Sequence, residues 1–164
     1  MRALLTCLAL FASSISTNAQ WYTDFDGTVA LSPNQEIAIT CSHAFGGPTI
    51  EVFTTQPIPQ QINPTITFVF DNTERFEWTA MHVANIYAGP MEDPYDVATK
   101  KQYTLRFSFQ SFGEALGYWL SIVEWFEQYD TVAFEFEGTT LGPFSLQGAG
   151  EIIQSVRAQS QYRC

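Results

Sequence analysis

The sequence predicts an α+β domain, an antiparallel twisted sheet or open β-sandwich with two helices near the C-terminus packed on one face. Three observations carry that prediction. Between positions 36 and 137 short stretches repeatedly alternate apolar and polar residues, the pattern of strands with one buried face. Apolar positions at three- and four-residue spacing are confined to 112–126 and 149–158, so the helices come late. No repeat, low-complexity tract or shift in composition divides residues 20–164, which are therefore one globular domain.

The chain opens with Arg2, an apolar run over 3–12 and a small, polar stretch over 13–19 that places Thr17 and Ala19 where a signal peptidase reads. Residues 1–19 are thus read as a signal peptide, and the mature chain is expected in the periplasm or secreted. The apolar run is too short for a mature membrane anchor, and no later stretch reaches the roughly 18 residues of a spanning helix, so no membrane insertion is expected. Without Arg2, six basic residues face 17 acidic ones, a net charge of about −11. Such a surface repels phosphate backbones, which argues against nucleic acid as a partner.

Cys7 leaves with the leader, and the remaining pair, Cys41 and Cys164, is expected to form a disulfide in an oxidising compartment. Asn63 precedes Pro64, and no acceptor for N-glycosylation occurs, which leans towards a bacterial periplasm.

In chain order, the alternation of Ile37, Ile39 and Cys41 marks a strand over 36–41 with the cysteine facing inward. Gly46 and Gly47 predict a turn over 45–48, and Ile50, Val52 and Thr54 a short strand after it. Pro57, Pro59 and Pro64 hold an extended connector that belongs at a sheet edge or in a loop. Ile66, Phe68 and Phe70 mark a strand over 65–70, joined by a turn over 71–74 to a longer or interrupted strand over 76–87. Residues 88–101, with Gly89, Pro90 and Pro94, read as an exposed loop.

Leu105, Phe107 and Phe109 alternate over 103–110 and lead into the first helix. Ser111 and Glu114 form a capping box, so that helix begins near Phe112. Ala115, Leu116, Trp119, Ile122, Val123 and Phe126 form its core face, and Gly113, Gly117 and Ser121 a small-residue line that predicts close approach of another backbone. After Asp130, residues 131–137 alternate as a strand with one wet face. A turn over 138–143, a short strand at Phe144 and Leu146, and a helix over 149–158 with Arg157 in its last turn complete the domain.

Asp24-Phe25-Asp26-Gly27-Thr28 resembles the first motif of haloacid dehalogenase-type phosphatases. The resemblance implies a nucleophilic Asp24, a general acid/base at Asp26 and magnesium held by both. It covers five residues, and neither parallel strands alternating with helices nor a later acidic pair accompanies it, so a turn after the first strand is the preferred reading. Calcium is a second use for Asp24 and Asp26, or for Glu92, Asp93 and Asp96, although neither cluster has the spacing of a dedicated calcium loop. Glu92, Asp93 and Asp96 are also candidates for a loop facing a partner.

His43 and His82 are the only histidines, and no serine stands in a nucleophile elbow, so a hydrolytic triad has little support. Trp21, Tyr22, Tyr87, Tyr95, Trp125 and Tyr129 are candidates for stacking on a sugar or anchoring a protein. At 15% aromatic content most of the aromatic residues must be core.

The tail from Phe144 to Cys164, with its Phe-Ser-Leu-x-Gly entry, short helix and closing cysteine, resembles small disulfide-tied periplasmic proteins of Gram-negative bacteria, including some associated with type VI secretion. The likeness implies export and protein contacts, and carries over no functional residue. The expected function is a non-catalytic exported domain that binds another exported protein and needs no cofactor. The alternatives are a metal-dependent phosphatase using Asp24 and Asp26, and a carbohydrate-binding β-sandwich module.

Overall fold

Residues 20–24, 26–42, 47–91, 101–109 and 114–159 are described by a computed structural model. Within them the alternating stretches become strands β1 (Tyr22–Thr23), β2 (Val29–Leu31), β3 (Ile37–Ser42), β4 (Gly47–Thr54), β5 (Gln61–Ile62), β6 (Ile66–Phe70), β7 (Glu74–Trp78), β8 (Asn85–Pro90) and β9 (Tyr103–Ser108). Helix α1 (Glu114–Gln128), strands β10 (Thr131–Phe136) and β11 (Thr139–Ser145), and helix α2 (Ala149–Gln159) follow. Seven strands form one sheet in the order β1-β2-β3-β4-β9-β8-β5 and four form a second in the order β11-β10-β6-β7. Every pairing is antiparallel. The domain is an α+β fold, and no described helix is long and apolar enough to cross a membrane.

The inner faces of the two sheets meet through aromatic rings. Phe68 of β6 lies 4.9 Å, centre to centre and edge-on, from Phe107 of β9, and 4.8 Å from Phe134 of β10. Such edge-to-face pairs add to the stabilisation from burial alone. Ile37, Ile39 and Cys41 of β3, Ile50 and Val52 of β4, and Leu105 and Phe107 of β9 join the same buried cluster, which bears out the inward faces read from alternation.

The helices close this core. Trp119, Ile122, Val123 and Phe126 of α1 are buried, as their spacing predicts, and Phe126 packs edge-on to Phe70 and Trp21. Ile153 and Val156 bury α2 in the same cluster, and α2 touches α1 and the β1–β3 end of the large sheet.

The close approach between helices comes from a different glycine than the spacing predicts. A Cβ on Gly117 would meet nothing within 4 Å, whereas one on Gly150 of α2 would lie 2.3 Å from Glu127 Cγ of α1. The small-residue line on α1 is therefore no contact surface at Gly117; a single glycine on the partner helix serves instead.

The stretch over 76–87, read as one longer or interrupted strand, is interrupted: β7 stays in the small sheet while β8 crosses to the large one, with a turn at 79–82 closed by the His82 amide donating to the Thr79 carbonyl at 2.9 Å. His82 therefore stands in a turn and not in a strand. Gly47 and Pro48 open β4 rather than a turn, and Ala88 to Pro90 complete β8 rather than a loop. Gly142 and Pro143 lie inside β11, an edge strand where a missing N–H donor is tolerated, and the turn is made one step earlier by Glu137 and Gly138, both at positive φ.

Asp71, at the β6–β7 turn, has φ 48° and accepts hydrogen bonds from the backbone N–H groups of Asp130 (3.1 Å) and Thr131 (2.8 Å). The carboxylate thereby ties the small sheet's hairpin to the exit of α1. Residues 1–19, Glu92, Asp93, Tyr95, Asp96, His43, Ser111 and Cys164 lie outside the described residues.

Candidate functional site

The Asp24 motif sits in the turn between β1 and β2. Asp24 Oδ1 accepts from the backbone N–H of Thr28 at 2.8 Å and of Val29 at 2.9 Å, and the Gly27 amide donates to the Asp24 carbonyl at 3.1 Å. Short Asx side chains favour such turns because their oxygens reach the backbone amides a few residues on. Asp26 is exposed. Trp21, just before the turn, is 3% exposed and donates its indole N–H to the Ser145 carbonyl at 2.9 Å. The motif thus closes an antiparallel hairpin, and among the described residues no group of three His, Cys, Asp or Glu side chains converges on it or anywhere else.

The turn role fixes an expected result. Asp24→Ala leaves two backbone donors unpaired and should lower stability by about 1 to 2 kcal/mol, while Asp26→Ala should change it by less than about 0.5 kcal/mol. Thermal melts with and without magnesium check both; a magnesium-dependent rise in melting temperature that Asp26→Ala abolishes would restore the metal reading.

His82 accepts at Nδ1 from the Thr79 amide at 3.2 Å and packs edge-on against Tyr118 and Trp78. This is a ring ordering a turn beside α1. Of the aromatic candidates, Trp125 and Tyr129 pack on Phe76 and Phe70. Tyr22 lies at the exposed margin, where its hydroxyl accepts from the Gln35 side-chain amide. Tyr87 is the candidate that lines a concavity.

That concavity lies on the outer face of the seven-stranded sheet. Antiparallel register places side chains in rows across neighbouring strands, and paired residues share a face. Glu51, Arg106 and Tyr87 form one such row across β4, β9 and β8; Thr49, Ser108 and Asn85 form the next; Phe53, Thr104 and Gly89 form the third. Between these rows and the 60–62 stretch is a groove of about 740 Å³, with Tyr87, Asn85, Thr104, Arg106, Ser108 and Met91 in its lining. This volume falls in the range of small-ligand sites.

The groove is polar but electrically balanced. Arg106 Nε donates to Glu51 Oε1, so the one cation among its described lining residues is paired. The Tyr87 hydroxyl donates to the Pro90 carbonyl at 2.6 Å. A Cβ on Gly89 would lie 2.9 Å from that hydroxyl and 3.0 Å from the Gln60 backbone, and φ there is +151°. Only glycine lets the connector and the tyrosine close over β8 in this way. Thr104 is 2% exposed, and its hydroxyl has no hydrogen-bond partner among the described residues. Ile62, 63% exposed, forms an apolar rim.

Sequence reasoning found Tyr87 and missed Thr104, Arg106, Ser108, Asn85 and Glu51. A signal existed in the polar half of the 103–110 alternation, but the sequence does not reveal that β4 and β8 flank β9. Comparisons with protein families, curated proteins and solved structures return no match for this chain.

Cys41 is 4% exposed in the main core and disulfide-bonded, and no second cysteine lies within the described residues.

Proposed function

We propose that the mature chain is an exported, non-catalytic domain that binds a partner on the outer face of its seven-stranded sheet. The observation that supports this reading is the groove built from three cross-strand rows, with Tyr87, Asn85, Arg106 and Ser108 in its lining. Export is inferred from the leader-like residues 1–19, and the staple from Cys41 to Cys164 is part of the same proposal. The partner inferred from the sequence is another exported protein. A second reading, the carbohydrate-binding module, is favoured by the groove itself, whose volume suits a small ligand or short segment better than a flat protein face.

Oxidative footprinting tests the location whatever the partner's class. Adding a periplasmic or culture-supernatant fraction should protect Tyr87 and Met91 from modification and leave Met81, 92% exposed and outside the groove lining, unchanged. Protection that spares Tyr87 and Met91 would overturn the reading.

A further inference from the structure

We infer that the outer groove takes an uncharged, polyhydroxylated ligand, a segment of neutral saccharide; this rests on the binding-domain reading. Charge narrows the class first. The cation in the lining, Arg106, is neutralised by Glu51, and the full chain carries a net charge of −10. Among the described lining residues an anionic ligand therefore meets a repulsive field with no unpaired cation to offset it, and a cationic ligand finds no carboxylate.

Hydrogen bonding narrows it again. Ser108 and Asn85 present a hydroxyl and an amide, each able to donate and to accept, while the Thr104 hydroxyl is itself buried. An apolar ligand would pay the desolvation cost of these polar groups without replacing their bonds to water. Sugar hydroxyls, which both donate and accept, match this set, and the guanidinium of Arg106 retains N–H groups beyond the one given to Glu51.

Shape agrees with both constraints. Tyr87 stands directly across from Arg106 and supplies an aromatic ring in the lining, while Ile62 and Met91 add apolar margin. Aromatic body and polar tip together suit a ring with an apolar face and a hydroxylated edge.

Calorimetric titration of the exported protein with chitotetraose, cellotetraose, maltotetraose and the acidic tetragalacturonate tests the inference. At least one neutral tetrasaccharide should bind and tetragalacturonate should not. Tyr87→Ala should weaken that binding roughly 10-fold or more, Ser108→Ala should weaken it about 3- to 10-fold, and Thr67→Ala on the other sheet should leave it unchanged. Binding of the acidic glycan alone, or neutral binding indifferent to both groove variants, overturns the inference. If no neutral glycan binds while the extract still protects Tyr87 and Met91, the inference fails and the binding-domain reading stands. If neither occurs, both fail.

Discussion

Phe68→Ala should cost about 3 to 5 kcal/mol, the range for deleting a fully buried phenylalanine. Phe68 is fully buried and touches rings on both sheets: Phe107 across the core, Phe134 on the neighbouring strand, and Trp78 at 5.6 Å. Its removal loses transfer free energy and opens a cavity that rigid strands on either side close only in part. A domain with roughly 5 to 15 kcal/mol of total stability should melt roughly 10 to 20 °C lower, as calorimetry would show. Phe76→Ala, at a half-buried ring packed on Trp125, should cost distinctly less. Equal losses at the two sites would mean that the sheets are not held by the Phe68 contact.

Reducing the cystine at Cys41, or replacing that residue by alanine, should cost on the order of 4 to 5 kcal/mol if its partner is Cys164, because the bridge would then close a loop of more than a hundred residues. The chain-entropy origin of that figure places the effect in the unfolded state, so the native fold of the reduced protein should be unchanged by circular dichroism at low temperature. Peptide mapping without reduction should recover Cys41 linked to Cys164. Recovery of Cys41 linked to Cys7 would contradict both the staple and the cleavage of the leader.

The elements whose periodicity is local were legible in the sequence. Trp119, Ile122, Val123 and Phe126 are buried because a helix repeats every 3.6 residues whatever surrounds it, and Ile37, Ile39 and Cys41 face inward because a strand repeats every two. What escaped depends on long-range pairing. Nothing between Trp78 and Asn85 announces that the chain leaves one sheet for the other, because the turn at Thr79 to His82 is made by backbone and imidazole hydrogen bonds and contains neither glycine nor proline. Gly117 carried a close-packing pattern that the fold uses at Gly150, since propensity and spacing do not say which helix yields.

The candidate site escaped for the same reason. Thr104, Arg106 and Ser108 are ordinary polar positions on an alternating strand until β4 brings Glu51 and β8 brings Tyr87 and Asn85 alongside. The Asp24 motif, conspicuous in the sequence, is conspicuous because one carboxylate closing a hairpin needs the Asp and Gly chemistry that several catalytic motifs also use.

We propose that function resides on the outer face of the large sheet and not at the N-terminal aspartates. Amide chemical-shift mapping tests it directly, with the neutral tetrasaccharides, magnesium and inorganic phosphate added in separate titrations. Shifts for a neutral glycan should be confined to residues 85–91 and 104–108 and their neighbours on β4, with magnesium and phosphate leaving 24–28 unmoved. Shifts at 24–28 on adding magnesium and phosphate, with the outer sheet silent to every glycan, would contradict it.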